Sequence, residues 1–444
     1  MVKKLINFGL KRLALLDEHT LEVLKKSSAS TIVKIVGMGV GLLVSIFLGR
    51  SIGADGVGII NLSNRIVSIL LVFVLLGFNG VIKKEIAIAY NKGNYNHIGN
   101  VMYTARLLIG GTSIFLSIVF IILSPWLANN VFNDTRLTYP LMIVLLTMTP
   151  QVLSRIFSSA LVGYKKIWQS NLVEQTLSIT ITGILLTISY LANWNISILL
   201  VVIYYAVGRV TVTIIVGIYW EKLFKYNAPR KFIADKLLKT SLPLLVVSVS
   251  GFIISNADVV ILGIFVDSKT IGIYVVAVQI ALLTRFFLQV SNSAISPKIA
   301  SLYENKQFKE LEKMIQQVTI GLGIIGFFFF TITLFFGREI LSIWGAEFSN
   351  GYHILLILTF GQMINISTGS LGPLLIMTGH EKEYMKVNLV FAVIFLITSI
   401  VFVRYFGIYG LAIIVSSTKI LSNVAKSILV KKLININVVK ILKS

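Results

Sequence analysis

The chain contains no cysteine among its 444 residues, so neither disulfide bonds nor thiol chemistry contributes to its fold or function. Histidine is scarce: His19, His97, His353 and His380 stand far apart, and they form neither a metal-ligand spacing nor a proton relay. No Gly-rich loop followed by Lys-Ser or Lys-Thr occurs, so the chain brings no nucleotide site of its own and an ATP-driven pump is disfavoured. The run Val36-Gly37-Met38-Gly39-Val40-Gly41 lies inside apolar sequence without a phosphate-binding lysine; its glycines suit close helix packing or bending. Charge is scarce too. Only 13% of residues are charged and 56% are hydrophobic, and a chain this apolar cannot keep a water-soluble surface. The period-two alternation of an outer-membrane barrel is also missing.

What is present is a series of long apolar runs. About 20 apolar residues cross roughly 30 Å of hydrocarbon as a helix. The sequence predicts twelve such spans, at 30–52, 61–82, 104–125, 138–162, 171–192, 196–219, 241–265, 271–295, 316–337, 351–378, 387–404 and 409–430. The expected fold class is all-α, a polytopic membrane protein. Residues 1–29 set Leu5, Ile6, Leu10, Leu13, Leu16, Leu21 and Leu24 among lysines. They read as an amphipathic helix on the membrane surface rather than a cleavable signal, with a plain soluble tail as the alternative.

The net charge of +22 reports topology rather than nucleic-acid binding. Of 40 Lys and Arg, 28 fall in alternate segments: the N-terminus, 83–92, 165–166, 222–239, 298–313, 382–386 and the end from 426. The opposite loops hold Arg50, Arg136, Lys269, Arg338 and Arg404. This asymmetry is the positive-inside signal and predicts cytoplasmic N- and C-termini. The most basic loop, 221–240, divides an N-terminal six-helix lobe at 30–220 from a C-terminal one at 241–430, with a basic tail at 431–444. The two lobes echo each other. Ile46-Phe47-Leu48-Gly49 aligns with Val260-Ile261-Leu262-Gly263, and Gly58-Ile59-Ile60 with Gly272-Ile273-Tyr274, at an offset of 214. Gly163-Tyr164-Lys165-Lys166 aligns with Gly379-His380-Glu381-Lys382 at an offset of 216. Two parallel six-span lobes with a cavity between them are a transporter architecture, although duplicated bundles also serve as scaffolds.

Seven cations remain inside or at the ends of apolar spans: Lys34, Arg65, Arg106, Arg155, Arg209, Arg285 and Lys419. Asp258 and Glu174 are the acids in the same zone. An ionised group there costs at least about 2.5–3.5 kcal/mol on insertion scales, so it should face protein or water. The expected cavity is cationic and suits an anionic substrate, arginine's fork matching phosphate oxygens. Lys34, Lys419, Arg106 and Arg65 sit near span ends and equally fit snorkelling to the interface. Arg285, Arg155 and Arg209 lie deeper. Asp258 is either an ion-coupling acid or a structural partner for one of the arginines.

Two stretches carry a family resemblance: Leu48-Gly49-Arg50-Ser51-Ile52-Gly53-Ala54-Asp55-Gly56-Val57-Gly58, and Asn256-Ala257-Asp258 leading through Leu262-Gly263 to Ile271-Gly272-Ile273-Tyr274. The chain resembles the polysaccharide-transport branch of the multidrug/oligosaccharidyl-lipid/polysaccharide exporter superfamily, in particular the O-antigen type oligosaccharide flippases. The resemblance implies MATE-like lobes in a V shape and a flippase of the bacterial inner membrane. Its cargo would be an undecaprenyl-pyrophosphate-linked oligosaccharide, an O-antigen or capsule repeat unit. Implied partners are membrane lipids, a glycan polymerase and chain-length proteins; no cofactor is implied. Related lipid II flippases hold pyrophosphate with arginines on the first, second and eighth helices; Arg65 and Arg285 fit, whereas the first span offers only Lys34. A cation-coupled multidrug exporter of the same superfamily is the alternative, with Asp258 as its coupling acid. A membrane glycan polymerase or ligase would need a sizeable outer loop, and the stretches 126–137 and 338–350 are short.

Overall fold

A computed structural model describes residues 18–225 and 229–438. Within them the chain is helical almost throughout, with no strand, because a backbone in hydrocarbon must satisfy its N–H and C=O groups internally. Residues 1–17 of the expected surface segment and 439–444 of the expected basic tail lie outside the described residues. The N-lobe comprises α1 (Glu18–Leu75), α2 (Phe78–Asn91), α3 (Tyr95–Trp126), α4 (Thr138–Leu146), α5 (Met148–Gly163), α6 (Ile167–Asn171), α7 (Leu177–Leu191) and α8 (Ile198–Leu223). The C-lobe comprises α9 (Ala234–Phe265), α10 (Ser268–Ala281), α11 (Arg285–Glu304), α12 (Phe308–Ser342), α13 (Tyr352–Ser367), α14 (Leu371–Met377) and α15 (Glu381–Ile434). Short polar side chains start several of them: Asn94, Ser197 and Asp267 accept from the backbone N–H of His97, Leu200 and Thr270, satisfying donors that the first turn leaves free.

Nine helical segments among the described residues are long and apolar enough to cross a membrane. Two of them, Ala29–Leu75 and Glu381–Ile434, run 47 and 54 residues, about twice a span. Each is broken by a single glycine: Gly53 with φ 67° and ψ −176°, and Gly407 with φ 54° and ψ −139°. Only glycine enters such conformations without steric cost. Against the twelve spans expected from the sequence, α9 contributes only a shorter apolar helix, Asn256–Phe265. The structure differs from the sequence reading at 53–60, expected as a hairpin loop. The chain reverses at Gly53 alone and is helical again from Ala54, so Gly56 and Gly58 belong to the second arm.

The internal repeat is written into the backbone. Left-handed residues recur at Lys165 and Gly379 and at Asn193 and Gly407, both 214 apart, and at Gly93 and Lys306, 213 apart. The turn after α5 closes with Lys166 N–H to Leu161 O, and the turn after α14 with His380 N–H to Leu375 O. The second echo therefore registers at 214 rather than the 216 read from the glycines.

The lobes cross where the repeat is strongest. The second arm of α1 packs along α10, and a Cβ on Gly58 would lie 1.8 Å from the Ser268 carbonyl oxygen, while one on Gly272 would lie 1.8 Å from that of Ala54. Ala54 and Ser268 are themselves one repeat apart, so the crossing is reciprocal. Carbonyls this close to glycine Cα carbons make the Cα–H···O contacts typical of tight helix crossings. Leu62, 1% exposed, fills the notch at Gly263. Away from this seam, Phe327, Phe328 and Phe335 of α12 are exposed, as expected of a face turned to lipid.

Candidate functional site

At one end, the latch face, polar groups tie the lobes together on both sides of the glycine crossing. The backbone N–H of Ala54 donates to Glu347 Oε1 at 2.7 Å, and Ser268 Oγ donates to Asp134 Oδ2 at 2.7 Å. Both bonds join opposite lobes, and donors and acceptors are each about one repeat apart. Arg50 Nε donates to the Ile343 carbonyl at 2.8 Å, and Trp344 Nε1 donates to Ser45 Oγ at 2.9 Å. Arg136 braces Asp55 and Asp134, and Lys269 Nζ stands 3.2 Å from Glu347. Burial pushes the Asp134 carboxyl up, but hydrogen bonds from Arg136 and Ser268 outweigh it and hold the group below its ordinary 3.8. A carboxyl so lowered contributes stability that is fully present above its unfolded value and lost as pH falls through the folded one. Spin labels at exposed Asn133 and Asn350 should therefore report one distance from about pH 7 to about pH 5, and a longer one only under acid below the ordinary carboxylate range.

Toward the opposite, basic face the first arm of α1 leans on its own lobe. Asn171 Nδ2 donates to Ser30 Oγ and Thr176 Oγ1 to the Val33 carbonyl at 2.9 Å. Ile35 and Val36 on this arm and Phe287 and Val290 on α11 are exposed. On the other side of the seam, Gly77 packs against the backbone of Ser241, Leu244 and Leu245 in α9.

Three polar cavities lie inside this frame. The central one, about 460 Å³, is lined by both lobes, including Ser45, Asn61, Asn64, Arg65 and Gln279. Arg65 Nη1 donates across the seam to Asn256 Oδ1. A C-lobe cavity of about 340 Å³ holds Arg285, Lys419 and Asp258 beside Lys426, Tyr384 and a row of amides, among them Gln362, Asn365 and Asn423. Lys419 is within electrostatic reach of both Arg285 and Asp258. Asp258, 8% exposed, accepts from the Tyr274 hydroxyl at 3.0 Å and the Val259 N–H at 2.9 Å. An N-lobe cavity of about 460 Å³ holds Arg155 and Arg209 with Lys83 and Glu174. Arg209 donates to Asn64 Oδ1 at 2.6 Å and to Thr147 Oγ1 at 3.2 Å, linking this cavity to the central one through Asn64.

The structure thus distributes the seven cations read from the sequence. Arg65 is central, Arg285 and Lys419 share the C-lobe cavity, and Arg155 and Arg209 share the N-lobe cavity. Lys34 and Arg106 line none of the three. Arg106 Nη1 instead stands 2.7 Å from Glu221 Oε1, with its guanidinium 4.7 Å from the Phe157 ring centroid. The sequence reading missed Lys83 and Lys426 by counting them as basic-loop charges. A half-buried ion pair with a cation–π contact contributes about 1 kcal/mol. Arg106→Gln should lower thermal stability by that order and leave transport intact, as melting curves and a transport assay on one preparation would test. No group of three or more His, Asp or Glu arranged to hold a metal occurs among the described residues.

The polysaccharide biosynthesis protein family matches residues 23–303, and the MatE family matches residues 243–403. A probable low-salt glycan biosynthesis flippase, Agl15 of Haloferax volcanii, is 24% identical over 398 residues, covering 88% of this chain and 80% of its own. The capsular polysaccharide biosynthesis protein CapF of Staphylococcus aureus is 26% identical over 197 residues, 44% of this chain and 49% of its own. Among solved structures, the lipid II flippase MurJ in an inward closed conformation superposes with a TM-score of 0.72 at 15% identity, covering 92% of this chain and 87% of its own. With the family match spanning more than half its length, the chain belongs to the polysaccharide biosynthesis protein family, in the polysaccharide flippase branch of the multidrug/oligosaccharidyl-lipid/polysaccharide exporter superfamily, and is a membrane transporter rather than an enzyme.

Proposed function

We propose that the chain flips an undecaprenyl-pyrophosphate-linked oligosaccharide, an O-antigen or capsule repeat unit, from the cytoplasmic to the outer leaflet of a bacterial inner membrane by alternating access. In this reading twelve spans form lobes at 30–220 and 241–430, joined by the linker at 221–240. Both termini are cytoplasmic, so the latch face is the outer one. The observation that carries the proposal is the lining of the internal cavities by cations with few carboxylates to neutralise them. Arg65, Arg285, Lys419, Arg155 and Arg209 attract the anionic groups of the substrate, and the isoprenoid tail stays in the bilayer beside the apolar residues of α1 and α11. A glycan polymerase and chain-length proteins receive the product. A deletion strain tests this directly: lipid-linked glycan should accumulate at the cytoplasmic face, whereas accumulation at the outer face would sink the proposal.

The second reading, a cation-coupled multidrug exporter, is favoured by one feature, buried Asp258 inside the stretch that matches the MatE family. It requires expression to confer drug resistance that disappears in Asp258→Asn.

A further inference from the structure

The cavities of the two lobes occupy repeat-related positions but carry different charges. Gln151 of the N-lobe cavity and Asn365 of the C-lobe cavity are 214 residues apart and chemically alike. At the same offset Arg155 corresponds to Gly369, Glu174 to Asn388 and Arg209 to Asn423. The C-lobe copy closes with neutral groups at these three positions, so the fold does not require charge there. The N-lobe copy carries charge at a depth where each ionised group is costly.

The arrangement of those charges points to a ligand. Arg155 and Lys83 make no hydrogen bond or ion pair among the described residues, and Glu174 is the carboxylate within electrostatic reach of Arg155. Glu174 Oε1 is occupied by the Ser158 hydroxyl at 2.7 Å, and the residue sits in a π-helical turn, Leu172–Thr176, a distortion frequent at functional sites. Lys83, Arg155 and Arg209 against Glu174 leave two positive charges in excess, and the side chains of Asn79, Gln151 and Ser154 supply further hydrogen-bonding groups. A guanidinium pair, an ammonium and amide donors around a compact space match the oxygens of phosphate.

We infer that the N-lobe cavity is a binding site for a doubly charged oxyanion of phosphate chemistry. The site stands on the cavity itself, and the flippase reading enters only in asking whether the phosphate is free or belongs to the transported lipid. The test uses the full-length protein in detergent and inorganic phosphate as the probe, followed by calorimetry. The wild type should bind phosphate saturably, Arg155→Gln should weaken binding about tenfold or more, and Arg106→Gln should leave it unchanged. Arg155 has no hydrogen bond or ion pair among the described residues to lose, and Glu174→Gln should tighten binding, a gain that misfolding cannot mimic. No saturable binding by the wild type, or equal binding by Arg155→Gln, overturns the inference. Surface glycan in cells identifies the source: its loss in Arg155→Gln assigns the site to the substrate's own phosphate, and its persistence beside lost phosphate binding assigns it to the free anion.

Discussion

A double variant, Gly58→Val with Gly272→Val, is expected to lose transport and to hold the lobes apart at the latch face. Each new Cβ would lie 1.8 Å from a carbonyl oxygen of the other lobe, far inside contact distance. The obstacle is backbone, so no rotamer change relieves it; only separation of α1 from α10 does. Overpacking of this kind typically costs about 1–3 kcal/mol per site. Here it acts at two repeat-related points and also removes the Cα–H···O contacts, worth about 0.5–1 kcal/mol each. The Asn133–Asn350 label distance should lengthen while the protein remains in the membrane. Gly39 and Gly41 have open space around them, and alanine at either should be tolerated. An unchanged distance and normal transport in the double variant would show that the glycine crossing does not close this face.

Arg285→Ala is expected to abolish surface glycan with the protein still inserted. Arg285 opens α11 and lines the C-lobe cavity next to Lys419, so its removal takes a guanidinium fork from the wall without emptying a packed core. Under the proposed function, what is lost is a charged contact to the substrate's anionic groups, and transport should fall by more than the roughly tenfold that a surface assay resolves. Arg285→Lys keeps the charge but not the planar fork and should fall between. Normal surface glycan in the alanine variant would remove Arg285 from the transport route.

The all-helical membrane architecture was legible because apolar length is a one-dimensional property, and the internal repeat because duplication leaves glycines at near-fixed offsets. Which glycines bend the chain was not. Gly53, Gly56 and Gly58 look alike in sequence, yet Gly53 has a left-handed φ while Gly58 serves a contact with α10, formed by residues more than 200 positions away. The same limit governs the site. Scarcity of acid identified cations within spans, but sorting them among three cavities requires knowing where helices end and which faces meet. Arg106 left the set because α8 runs on to Leu223 and brings Glu221 within reach. Lys83 lines a cavity because α2 extends past the hydrophobic run that ends at 82, and Lys426, counted with the basic end although it falls within the span 409–430, lines the C-lobe cavity from inside α15. The amides at Gln151 and Asn365 carried a readable signal, since they fall one repeat apart in sequence.

The paired bonds from Ala54 to Glu347 and from Ser268 to Asp134 have a mechanical meaning. A body fastened at one point can pivot in any direction, whereas one fastened at two points retains only rotation about the line through them. With both bonds made, twisting and sliding of the lobes about the glycine crossing are resisted, and the Arg50 and Trp344 bonds add further fixed points on the same face. Breaking either bond alone leaves these other fastenings in place, so the face is held by redundancy rather than by a single lock.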